Sequence, residues 1–231
     1  NLSNNLLISM PFAFYLAAKK NSLLYFIIGL LQFFAAFLSF SRGGEIFGSL
    51  IFPFAMIICL YYAKKSRVKF VIPLIILIII FSYFISHNMD YFERVMRIRG
   101  DESRANMYRL AYEYFKEYPI FGTGLAHNPG VYYRPRSMAL YWYHSTFFQI
   151  IASLGIVGLG AYAMQMIYRI KAIFSARTSF NVFFALSILG FAGYSMVNVG
   201  YFVPLPFVVI ILFMFIVLDR NNSLIKCKKN V

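Results

Sequence analysis

Charge is scarce in this chain. Only 13% of its 231 residues are charged and just 8 are acidic, whereas 61% are hydrophobic, 20% are aromatic and the mean hydropathy is +0.68. A soluble domain of this size could not cover so much apolar surface with polar groups, which excludes that class. Cysteine is equally sparse. Cys59 falls in an apolar run and Cys227 in a basic tail, so no disulfide can join them across a membrane. The three histidines, His87, His127 and His144, have no metal-ligand spacing, and no carboxylates cluster as a hard-cation site requires. There is no Walker loop, no GxSxG elbow and no heptad repeat, which leaves ATP hydrolysis and serine hydrolysis without a motif.

What the chain does have is long apolar runs. Seven are candidates to cross a bilayer, at residues 6–18, 22–40, 46–63, 70–86, 146–168, 179–202 and 203–218. The first is short, contains Pro11 and follows Asn1 without an initiator Met, as expected of the C-terminal part of a longer protein. It does not read as a signal peptide, because Lys19 and Lys20 follow the apolar stretch instead of preceding it. The expected fold class is an all-α polytopic transmembrane bundle.

Positive charge orients the runs, since Lys and Arg near span ends stay on the cytoplasmic side. Lys19 and Lys20, then Lys64, Lys65, Arg67 and Lys69, then Arg169, Lys171 and Arg177, and finally Arg220, Lys226, Lys228 and Lys229 all fall on one face. The chain then reads as spans one to four over 1–86 with a short outer turn at Ser41-Arg42-Gly43-Gly44, an outer loop at 87–143, spans five to seven over 144–218, and a cytoplasmic basic tail at 219–231. The bilayer accounts for most of the net charge of +14, so no nucleic-acid partner is needed.

The outer loop departs from that rule. It carries Arg94, Arg97, Arg99, Arg104, Arg109, Lys116, Arg134 and Arg136, mostly arginine where the cytoplasmic segments are mostly lysine. Guanidinium presents a planar fork of donors suited to phosphate and carboxylate. An outward anion site is one reading. A loop balanced by Asp90, Glu93, Asp101, Glu102, Glu113 and Glu117, with arginines on lipid headgroups, is the other.

Within the loop, Met107, Leu110, Ala111, Tyr114, Phe115 and Tyr118 recur at helical spacing and predict an amphipathic helix over 104–118, lying along the membrane surface. Asp101 or Ser103 can cap it, Pro119 stops it, and Gly122 and Gly124 turn the chain. Arg104 would sit in the first turn, where free N–H groups and the helix dipole favour an anion. Tyr141, Trp142 and Tyr143, just before a span, read as an interfacial belt, whereas Tyr132 and Tyr133, far from both span ends, are candidates to stack on sugar rings.

Three features occur in order: Ser41-Arg42-Gly43-Gly44 at the head of a span, Arg104 followed by Pro119-Ile120-Phe121-Gly122-Thr123-Gly124, and His144 opening a span. In this the chain resembles the O-antigen ligase and O-antigen polymerase family, from about Arg42 to the GIVGLG stretch at 155–160. The family usually has Asn where this chain has Ser145, and more spans. The resemblance implies a glycosyltransferase of polysaccharide, lipopolysaccharide or capsule biosynthesis at the outer face of the cytoplasmic membrane. It would pass a glycan from a polyprenyl diphosphate such as undecaprenyl diphosphate to a hydroxyl of an acceptor glycan or a lipid A core, with inversion and without metal or other cofactor. Arg42 and Arg104 would hold the diphosphate, with Arg97 and Arg99 nearby, Gly43 and Gly44 would allow close backbone approach, and His144 would steer or deprotonate the acceptor, with His127 as its competitor. Two other classes fit the composition: a transporter or flippase of lipid-linked polysaccharide, which calls for broken helices in paired halves, and a non-catalytic membrane scaffold.

The charge pattern makes a direct prediction. In intact cells a membrane-impermeant maleimide should label a cysteine placed at Ser137 and leave native Cys227 unlabelled until the membrane is opened; the reverse pattern would invert the topology.

Overall fold

The computed structural model describes residues 2–39, 41–63, 67–89, 102–125, 143–198 and 206–229. Among these, every regular element is a helix: α1 (Leu2–Lys20), α2 (Leu23–Leu38), α3 (Arg42–Tyr62), α4 (Arg67–His87), α5 (Glu102–Glu117), α6 (Thr146–Phe174), α7 (Ser179–Val197) and α8 (Pro206–Lys229). Within them Gly43–Tyr62, Arg67–His87, Thr146–Phe174 and Ser179–Val197 are long and apolar enough to cross a membrane, and α2 is a shorter apolar helix. The all-α, multi-span expectation holds, and among the described residues four of the expected runs meet that measure. The helices α1 to α4, with α7 as far as Tyr194, form one compact unit; α5, α6, the last turn of α7 and α8 form another.

The first unit is held by phenylalanine. Phe14, Phe26, Phe70 and Phe183 are fully buried, Phe26 stacks on Phe70 at 4.7 Å between ring centroids, and Phe33 stacks on Phe52 at 4.0 Å. Aromatic pairs at such spacing stabilise beyond their area, which matters where lipid removes the usual hydrophobic drive between helices. Prolines lie inside α1, α3 and α4 at Pro11, Pro53 and Pro73. A membrane helix tolerates them when neighbours serve the freed backbone. Ser187 of α7 donates its hydroxyl to the Ile8 carbonyl at 2.6 Å, next to the Leu7 carbonyl that Pro11 leaves without its helical donor.

The second unit depends on a break. The span expected at 146–168 lies within α6, and α6 is interrupted at Gly155, whose φ of 61° and ψ of −156° lie outside any helix. Such a break leaves no helical bond between Ala152 and Ile156 or between Ser153 and Val157. The turn after α5 replaces both. Thr123 and Gly124 donate their N–H groups to the Ala152 and Ser153 carbonyls, each at 2.9 Å, while Ile156 and Val157 donate to the Pro119 and Ile120 carbonyls at 2.9 and 3.2 Å. These four groups are thereby paired, as a low-dielectric surrounding demands.

Two glycines make this contact possible. A Cβ on Gly155 would lie 2.5 Å from the Ile120 carbonyl oxygen, and one on Gly122 would lie 2.4 Å from the Ser153 carbonyl carbon. Both have positive φ, 61° and 67°. The GTG turn and the GIVGLG stretch, separate features in the sequence, are thus two halves of one joint.

The predicted helix over 104–118 appears as α5 and stops before Pro119, as expected. Because α5 begins at Glu102, Ser103 lies inside it and is not its cap; Asp101 lies outside the described residues. At the other end of the chain α8 runs on to Lys229, so the basic segment from Asp219 continues a helix where a separate tail was expected. Asn222 of α8 donates to the Ala172 carbonyl at 2.9 Å and lies 2.7 Å from Ser175 Oγ, closing the C-terminal end of α6.

Alanine at Gly122 or Gly155 should lower the apparent Tm in detergent more than alanine at Gly124. Gly124 has a φ of 88° but nothing within 4 Å, so Gly124→Ala carries only the left-handed penalty of about 1–2 kcal/mol. Equal shifts in a thermal-unfolding assay would mean that the joint is not close-packed.

Candidate active site

The second unit brings Arg104 and His144 to one end of a helix pair. On α5, Ala111 is fully buried, and Met107, Leu110 and Tyr114 pack with it against Tyr143, Phe148 and Ala152. The opposite face is open, with Arg109 and Glu113 at 3.8 Å and Lys116 over the Tyr112 ring at 4.6 Å. Exposed pairs of this kind add little stability. The contacts set the direction: Tyr108 meets Phe148 near the start of α6, and the turn after α5 meets Gly155. Both helices therefore point their N-termini, with the positive ends of their dipoles, the same way.

Arg104 is the third residue of α5 and is half-buried. Its Nη1 donates to the Val197 carbonyl at 3.4 Å, at the C-terminal end of α7. That carbonyl is one of the groups a helix end leaves without a helical partner, and a cation there is favoured by the dipole. The contact uses one of five guanidinium donors. One turn along, Tyr108 stacks on Phe148 at 4.4 Å with the ring planes 9° apart, and its hydroxyl donates to the His144 carbonyl at 3.3 Å. Arg104 and His144 are thus linked through a single turn of α5.

His144 has a φ of 51°, in the left-handed region that histidine enters more readily than most residues. Its Nδ1 is buried and has no hydrogen-bond partner among the described residues. The next residue, Ser145, is extended and opens α6 without a side-chain cap bond. Gln149, 1% exposed, accepts the Tyr143 N–H on Oε1 at 3.2 Å and donates from Nε2 to Ser153 Oγ at 3.0 Å. Its own N–H donates to the Ser145 carbonyl at 2.9 Å. Thr146 is fully buried, and its Oγ1 lacks a partner among the described residues.

Arg42 is the first residue of α3 and belongs to the first unit. Its backbone is placed at the head of a span as expected; its side chain lies outside the described residues. The preceding Ser41 donates to Tyr194 Oη at 3.5 Å, and Ser39 shares a 2.6 Å hydrogen bond with Ser3. The close approach expected at the glycines is taken by protein at Gly44, where a Cβ would lie 2.7 Å from Ser3 Cβ and 3.2 Å from the Ala36 carbonyl oxygen. Arg97, Arg99, His127, Tyr132 and Tyr133 lie outside the described residues.

One aromatic expectation is corrected. Tyr143 was expected in an interfacial belt with Tyr141 and Trp142, but it is only 1% exposed and belongs to the cluster beneath α5; Tyr141 and Trp142 lie outside the described residues. Tyr108, Gln149 and Ser153 were missed altogether. Their signal was present in part: Ser145, Gln149 and Ser153 are spaced by four in an otherwise apolar run, so one helix face there is polar. Among the described residues no three His, Cys, Asp or Glu side chains come together as a metal site.

Apolar helices of spanning length, and an amphipathic helix that joins an arginine to a histidine at the head of one of them, define a polytopic membrane protein with a polar site at a helix end. Residues 8–163, more than half of the chain, match the family model described as O-antigen ligase, and the chain belongs to that family. This places it among the membrane proteins of O-antigen and polysaccharide biosynthesis. No curated protein and no solved structure matches it.

Proposed function

We propose that the protein is a glycosyltransferase, a polysaccharide polymerase or ligase, that takes a glycan from a polyprenyl diphosphate at the outer face of the cytoplasmic membrane. The observation that carries this is the coupling of Arg104 to His144 through Tyr108, at the end where two helix N-termini converge. Family membership supports the same class.

The acceptor hydroxyl oxygen attacks the anomeric carbon, the bond from that carbon to the diphosphate oxygen breaks, and configuration inverts. The hydroxyl proton passes to the His144 imidazole, the side chain best suited to accept one near neutral pH. The polyprenyl diphosphate leaves with the bonding electrons, and its growing negative charge is met by Arg104 and Arg42 with the helix dipoles behind them, without a metal ion. The outer loop's remaining arginines, Arg97 and Arg99 among them, and the ring faces of Tyr132 and Tyr133 would hold the glycan, and the acceptor would be a second glycan or a lipid A core. His127 is the alternative base.

The transporter reading draws some support from the broken α6, since transporters bind at discontinuous helices. Four backbone groups at this break, however, are already bonded to the turn after α5 and are not open to an ion or substrate.

Purified protein with lipid-linked repeat units tests the proposal. His144→Ala should slow glycan transfer by about 10²–10⁴-fold, and Arg104→Ala or Arg42→Ala by about 10²–10³-fold, at unchanged membrane levels. Native rates in all three would remove the site, and accumulation of unflipped donor inside cells would favour the transporter.

A further inference from the structure

We infer that Gln149 and Tyr108 are positioning residues that fix the direction of the His144 imidazole by clamping the backbone on both sides of it, a role that rests on the proposed use of His144 as the base. Three consecutive residues each give one backbone group to this clamp. The Tyr143 N–H goes to Gln149 Oε1, the His144 carbonyl to the Tyr108 hydroxyl, and the Ser145 carbonyl to the Gln149 N–H. Gln149 therefore holds the chain both before and after His144. This resembles a capping box in which the glutamine reaches back two residues beyond the N-cap instead of one turn to it.

The clamp has work to do because the ring does not orient itself. A histidine used as a base is commonly held by a hydrogen bond at its other ring nitrogen. Here Nδ1 is buried and has no partner among the described residues. The direction of Cβ then follows from the backbone, and the backbone is left-handed at φ 51°, a conformation that needs external support. Tyr108 supplies it from α5 with its ring seated on Phe148, and Gln149 supplies it from α6 with its amide seated on Ser153. Plain packing does not explain this choice of residue. A methionine would fill the same volume at position 149, and a buried amide in a membrane helix is a cost that a function offsets.

The test compares Gln149→Met, Gln149→Glu, Tyr108→Phe and His144→Ala in purified transferase, alone and combined. Gln149→Met removes the acceptor for the Tyr143 N–H, and Tyr108→Phe keeps the ring stack while removing the hydroxyl. Each should lower kcat roughly 10- to 100-fold with the donor KM unchanged, the scale expected of a small misplacement of a reacting group. Gln149→Glu keeps an acceptor oxygen for the Tyr143 N–H and should stay closer to the native rate than Gln149→Met, falling short of it by the cost of a buried charge. In a His144→Ala background, Gln149→Met should cost nothing more. If it lowers that residual rate by the same factor as in the native chain, the clamp does not act through His144 and the inference is overturned. Native activity in His144→Ala itself sinks the base assignment first, a distinct outcome. Should Gln149→Met prove poorly folded, the ring signals of His144 in ¹⁵N-histidine-labelled protein decide instead. They should move in Tyr108→Phe, and unchanged signals there would also overturn the clamp.

Discussion

The fold around the site depends on an exchange of backbone partners at Gly155. A span cannot simply stop being a helix in lipid, because each freed N–H or C=O would go without water. Here Ala152, Ser153, Ile156 and Val157 lose their bonds to one another and gain Thr123, Gly124, Pro119 and Ile120. The exchange ties a loop to a membrane helix by main-chain bonds alone. Because α5 ends only two residues before Pro119, fixing the turn fixes the end of that helix. The burial of Ala111 and the Tyr108–Phe148 stack then lay the rest of α5 along the first half of α6. Arg104 and His144 lie toward the same far end as a result, linked through Tyr108.

Much of this architecture could be read from the sequence, and the reason is physical. Span length and the 3.6-residue period of Met107, Leu110, Ala111 and Tyr114 are local properties that a single chain displays directly. Pro119 as a helix stop and Gly122 and Gly124 as turn residues belong to the same class. The break at Gly155 was not legible, because glycine is common in membrane helices and GIVGLG carries the hydropathy of an ordinary span. Only the arrival of a second glycine-containing segment turns that residue into a joint, and sequence gives no distance between position 122 and position 155.

The candidate site was proposed from its chemistry, and its supports were not legible. Arg104 and His144 stand out because a cation in a helix's first turn and an imidazole at a span end are chemically conspicuous. Gln149 is not, since a lone amide among apolar neighbours resembles a tolerated impurity until its three bonds are seen. Tyr143 misled for the opposite reason: position beside a span suggested a belt, but the left-handed residue after it turns the chain and carries the ring inward.

Electrostatics explains why the supports are neutral. A carboxylate at position 149 would accept the same Tyr143 N–H, but as a charge buried in an apolar helix it would be costly, and it would lower the positive potential that Arg104 and two helix N-termini create nearby. The amide satisfies an N–H and a hydroxyl together and leaves that potential intact. Arg104 follows the same logic. Among the described residues no carboxylate lies within salt-bridge distance of it, and its tether is the Val197 carbonyl. A carbonyl directs a guanidinium without cancelling its charge. In the proposed reaction a group that meets a leaving diphosphate has to be held in place before the bond breaks, and its charge has to be left uncompensated. Tethering by neutral acceptors achieves both, whereas an ion pair would achieve only the first.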